Sequence, residues 1–108
     1  MTFDFAKFIA DNIANNPAEA TIVRKVYQAL KDAGTPVVSV WDGVEDTPVT
    51  SQQETLEQVF NLDQAWLKTA TGAWVLIILG NEWDALSDYT VSLEDALKPV
   101  NAYIESKW

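Results

Sequence analysis

The sequence predicts a single α+β domain: three consecutive strands forming an antiparallel meander, with helices packed on its faces. Three observations carry that expectation. The stretch Gly72-Ala73-Trp74-Val75-Leu76-Ile77-Ile78-Leu79-Gly80 has no charged or polar side chain and a glycine at each end. Its β-branched and aromatic content marks a strand, and it is far short of the roughly 20 apolar residues a membrane-spanning helix needs. Apolar residues at helical spacing occupy the first third of the chain and recur at its end. A length of 108 residues suits one domain with a core of its own. The expected order is α-α-β-α-β-β-β-α over residues 1–108.

Phe5, Phe8, Ile9 and Ile13 recur at helical spacing, so residues 4–14 read as a short amphipathic helix capped by Thr2 or Asp4. Asn15-Asn16-Pro17 ends it and opens the next. Asn16 is the expected cap, Pro17 the first helical residue, and Glu19 completes a capping-box pattern. Val23, Val26, Tyr27 and Leu30 form the apolar stripe of this second helix, and Gly34-Thr35-Pro36 stops it. Val37-Val38-Ser39-Val40-Trp41 is a strand, and Asp42 to Thr50 reads as a loop. Ser51-Gln52-Gln53-Glu54 matches the capping box that opens a helix over 52–61, with Leu56, Val59 and Phe60 on its apolar face.

Ala65 to Thr69 forms the next strand, and Thr69-Ala70-Thr71-Gly72 turns it into the uncharged run. Because Trp74, Leu76 and Ile78 alternate with Val75, Ile77 and Leu79, both sides of this run are apolar. A central strand covered on both faces is therefore expected. After a turn at Gly80-Asn81-Glu82-Trp83, residues 85–91 alternate like a half-exposed outer strand. Ser92 is the expected cap of a last helix with stripe Leu93, Leu97, Val100 and Ile104, and Pro99 predicts a kink or a late start in it.

The formal net charge is −9, and it is unevenly placed. Residues 1–34 are neutral overall, whereas residues 35–108 hold twelve acids against Lys68, Lys98 and Lys107. No basic residue lies between Lys31 and Lys68. Such a balance disfavours direct contact with nucleic-acid phosphates or anionic membranes, and it suits a basic protein partner, a bound cation, or plain solubility. The N-terminus shows neither a basic n-region nor an apolar h-region, so a cytoplasmic protein without a secretory signal is expected.

The chain has no histidine and no cysteine. A Ser-His-Asp triad, a thiol nucleophile and the usual structural zinc sites cannot be built from it, and no nucleotide-binding glycine motif occurs. A non-enzymatic protein without cofactor or metal is the expectation. Carboxylates are the remaining chemistry. Asp42, Glu45 and Asp46 surround Gly43 in a loop that could hold calcium, although the spacing departs from the EF-hand pattern. Glu82, Asp84 and Asp88 stand beside Trp83, where an aromatic next to paired acids could bind a cationic or sugar ligand or even support glycoside hydrolysis.

Five tryptophans complete the inventory. Trp74 is expected in the core, while Trp41, Trp83 and the terminal Trp108 stand at positions where exposure would make an interface anchor. The alternative is that each lies over the sheet edge as ordinary core. The favoured function is thus a protein-interaction module, with self-association its simplest form. The candidate surface is Trp41, Asp42, Glu45 and Asp46, with Glu82, Trp83 and Asp84 second. Two other classes stay open: an acidic decoy that imitates nucleic-acid phosphates, drawn from the acid-only span 32–67, and a binder of a cation or small ligand.

Overall fold

The caps written into the sequence set where most of the helices begin and end. The computed structural model describes residues 4–80 and 82–107; Thr2, Asn81 and Trp108, named above as cap, turn and terminal anchor, lie outside them. Helix α1 spans Phe5–Asn15, and the Asp4 carboxylate accepts the Lys7 amide at 3.1 Å. Helix α2 spans Pro17–Asp32. Its end is a Schellman motif: Gly34, at φ +79°, donates to the Lys31 carbonyl at 3.1 Å, and Thr35 donates to that of Leu30 at 3.0 Å. Helix α3 spans Gln52–Leu62, with Ser51 Oγ accepting the Glu54 amide at 3.1 Å.

Three expected capping roles are not filled. Asn16 precedes α2 without a side-chain cap bond; its side chain turns back onto α1, where Nδ2 donates to the carbonyl and the Oδ1 of Asn12. Glu19 does not complete a capping box: it is only 3% exposed, and its carboxylate accepts the Gly80 amide at 2.6 Å. This charge-assisted bond fastens the first turn of α2 to the end of a distant strand. Ser92 does not cap the last helix either. A single 3₁₀ turn, Val91–Leu93, comes first, and helix α4 runs only over Lys98–Glu105. Pro99 sits in its first turn, the one place where a missing amide costs the helix nothing, so the late start is the form realised.

Five strands make one antiparallel sheet: β1 (Val37–Trp41), β2 (Asp46–Pro48), β3 (Gln64–Thr69), β4 (Trp74–Ile78) and β5 (Leu86–Tyr89), in the order β2-β1-β3-β4-β5. The α+β class, the three-strand meander and the order of the expected elements are those read from the sequence. Strand β2 is an addition, within residues expected to be a loop. The uncharged run is β4, so the middle of the sheet is its neighbour β3.

Helices α2 and α3 lie on the sheet, α1 braces both, and α4 packs on α2. Register shows which face they cover. Val40, Leu67 and Val75 sit opposite one another on adjacent strands, as do Ala65 and Ile77, and every one is buried. Phe60, Leu56 and Val59 of α3 and Ile22, Val23, Val26 and Leu30 of α2 belong to the same core.

The two-sided covering expected for β4 is not what forms. Val75 and Ile77 are 0% exposed, whereas Trp74, Leu76 and Ile78 on the opposite face are only half-buried. Among the described residues, no helix buries this second face. The stripe expected for α1 divides as well: Ile9 and Ile13 are buried, while Phe5 and Phe8 are 52% and 53% exposed. Among the described residues, no helix is long and apolar enough to cross a membrane.

The one-sided packing sets an ordering of mutational costs. Ile77→Ala should cost about 2–5 kcal/mol, the range for a fully buried aliphatic residue, and Ile78→Ala on the same strand less than about 1.5 kcal/mol. Urea melts of the two variants check this, and equal losses would mean that both faces are covered.

Candidate interaction surface

The face that the helices leave bare collects aromatic side chains because of strand register. Cross-strand partners project to the same side of a sheet. Trp41 is paired with Trp66, Trp66 with Leu76, and Lys68 with Trp74. One row across the sheet therefore reads Asp46, Trp41, Trp66, Leu76, Asp88, from edge to edge. The next row holds Pro48, Ser39, Lys68 and Trp74. The Trp41 and Trp66 rings meet at a centroid distance of 4.9 Å with their planes tilted by 55°. Together with Trp74 and Lys68 they line an open cleft of about 350 Å³.

Lys68, Ser39 and Asp46 on this face are partnered with one another. Lys68 Nζ lies 3.3 Å from an Asp46 carboxylate oxygen and 5.9 Å from the centre of the Trp41 ring. Ser39 donates to the other Asp46 oxygen at 3.4 Å. The Lys68–Asp46 pair is nearly half exposed on both sides, so it adds little stability and leaves both groups available to a ligand.

The acidic segment beside Trp41 is a tight hairpin turn rather than an open loop. The Asp42 amide donates to the Glu45 carbonyl at 3.2 Å, and its Oδ1 accepts the amides of Val44 and Glu45, both at 2.8 Å. Gly43 carries the turn at φ +104°, a conformation that L side chains rarely adopt, and a Cβ added there would stand 3.9 Å from the Trp66 ring. Amide donation from Glu45 first and Val44 second holds the Asp42 carboxyl below its ordinary value. The segment expected to be a loop is thus closed by its own first residue. Val44 at its tip is 86% exposed.

The first candidate group is therefore split: Trp41 and Asp46 project onto the open face, while Asp42 and Glu45 belong to the turn. The second group lies elsewhere. Glu82, Trp83 and Asp84 form a 3₁₀ turn against α2. Trp83 meets Tyr103 of α4 edge-on at 6.0 Å, and Lys25 and Lys107 stand 4.4 and 5.2 Å from the centre of the Tyr103 ring. This cluster fastens the turn to the helical side.

Trp66 and Trp74 are what the sequence reading missed as surface residues. Trp74, expected in the core, is half-buried on the open face. The available signal was in the neighbouring strands: Ser39 and Lys68 mark the solvent side of β1 and β3, and each is two residues from a tryptophan.

Of the sixteen acids only Glu19 is buried, and the others are spread over helices, turns and both sheet edges. No single element arrays them. Among the described residues, no three acids are placed to hold a metal ion. Comparison with protein-family models, with curated proteins and with solved structures finds no match.

The Asp42 arrangement has a pH signature. Its folded pKa is depressed, so the stability it adds is present above its unfolded value, about 3.9, and is lost as pH falls through the lower folded value. In an NMR titration Asp42 should protonate below the ordinary aspartate value. Asp42→Asn, which keeps an acceptor, should melt closer to wild type than Asp42→Ala. Equal melting of the two variants would show that the turn does not depend on this acceptor.

Proposed function

We propose that the protein is a non-enzymatic protein-interaction module whose working surface is the open face of the sheet. The observation that carries this reading is the gathering of Trp41, Trp66 and Trp74 around one cleft on a face that the protein's own helices leave uncovered. A sheet buries an apolar face against another layer, and here one layer is missing. Tryptophan is enriched among the residues that dominate binding energy, and its rigid ring gives large contact area at little entropic cost. Asp46 and Asp88 at the two sheet edges supply a polar rim, and a rim of charge acts mainly on association rate and specificity. Indole rings with one lysine form a set for contact rather than for proton transfer.

Affinity capture from the source cells, followed by binding measurements on the captured protein, tests this. Trp41→Thr and Trp66→Thr keep β-propensity while removing the indoles, and each should weaken binding by about 2 kcal/mol or more, roughly thirtyfold. Glu82→Gln combined with Asp84→Asn, on the helical side, should leave affinity unchanged. A partner that binds the folded tryptophan variants as tightly as wild type would overturn the reading.

A further inference from the structure

We infer that the occupant of this face is an amphipathic helix of a partner protein, with apolar side chains over Trp41, Trp66 and Leu76 and a basic side chain at each end. The inference rests on the docking reading above and adds the chemistry of the partner. Three features of the surface support it.

The first is backbone chemistry. Leu76, Ile78 and the three tryptophans of the open face are half-buried already, and their side chains offer an incoming backbone only indole N–H donors and no acceptor for its amides. An extended segment laid on such a face would bury unsatisfied amides and carbonyls, whereas a helix satisfies its own. Strand addition uses sheet edges instead, and Pro48 in β2 and the register shift between β4 and β5 disfavour it at both edges.

The second is charge. The row Asp46, Trp41, Trp66, Leu76, Asp88 is apolar in the middle and acidic at both ends. Four strand spacings separate the two acids, about 19 Å, which a helix covers in about 13 residues. A complementary helix carries lysine or arginine that far apart, with apolar residues between. Lys68 already shares Asp46 through an exposed pair, so a second cation can join without displacing buried charge.

The third is size. Three half-buried indoles leave on the order of 200 Å² of aromatic surface, well below the roughly 800 Å² per partner of a stable dimer. A second copy would also bring another net charge of −9. Patch size and charge both favour one inserted helix over self-association.

The probe is an acetylated, amidated peptide of about 16 residues, with leucines at helical spacing and a lysine near each end about 14 residues apart, the spacing nearest to about 19 Å that keeps both on the leucine side of the helix. A second peptide has glutamates in place of the lysines. Binding is followed by tryptophan emission and by amide shift mapping on the whole protein. The lysine peptide should bind about tenfold or more tighter than the glutamate peptide. It should shift β1, β3 and β4 amides and lose binding in Trp66→Thr. In the variant carrying Asp46→Asn and Asp88→Asn the preference should shrink to about threefold or less, whereas Glu57→Gln with Glu105→Gln, an equal charge change elsewhere, should preserve it.

Equal binding of the two peptides, lost in Trp66→Thr, overturns the basic-helix chemistry and leaves the docking face standing. A preference that survives Asp46→Asn with Asp88→Asn overturns the role of this row. No saturable binding of the lysine peptide up to about 1 mM overturns the inference, while the captured-partner experiment judges the docking reading separately. A wild-type dimer that Trp66→Thr dissociates would make a second copy the occupant and overturn it also.

Discussion

The register between β3 and β4 is the constraint on which the rest depends. It places Ala65 opposite Ile77 and Leu67 opposite Val75, all with no exposed surface, beneath helices α2 and α3. The same register leaves Trp66 opposite Leu76 and Lys68 opposite Trp74 on the other side. A slip of one residue would exchange the two sets and bring the Lys68 ammonium into the core, so burial of the inner face locks the outer face into its arrangement. The core and the candidate surface are thus two consequences of one pairing.

Much of this organisation can be read from the sequence, and the failures have physical reasons. The ends of α2 and α3 follow from Gly34 and Ser51, and β1 follows from its own residues. Covering of the sheet cannot be read from β4 alone. Trp74, Leu76 and Ile78 are as apolar as Val75 and Ile77, and hydrophobicity does not distinguish residues buried by the chain itself from residues left for a partner. The distinction appears only when Lys68 and Ser39 are placed on the same side through the sheet register. β2 escaped notice because its three residues, Asp46, Thr47 and Pro48, have the composition of a turn. Glu19 escaped because its position fits a local cap, whereas its carboxylate is used by Gly80, sixty-one residues away.

The candidate surface shows the same mixture. Trp41 and Asp46 were identifiable beside an acidic segment, but the segment's apparent freedom was misleading. Asp42 Oδ1 accepts the amides of Val44 and Glu45, and this closes the acidic segment into a tight turn. Trp83 is unlike the three sheet tryptophans because Tyr103 and Lys107 pack on it from α4 and the chain's end. Four described tryptophans therefore divide into one that joins turn to helix and three that share an uncovered face.

That the face is bare in the free protein is the central claim, and hydroxyl-radical footprinting with mass spectrometry tests it most directly. Trp41, Trp66 and Trp74 should be oxidised much faster than the buried Phe60 in the isolated protein, after correction for the intrinsic reactivity of each side chain. Protection of all three to the level of Phe60 would show that something covers the face, and would contradict the account.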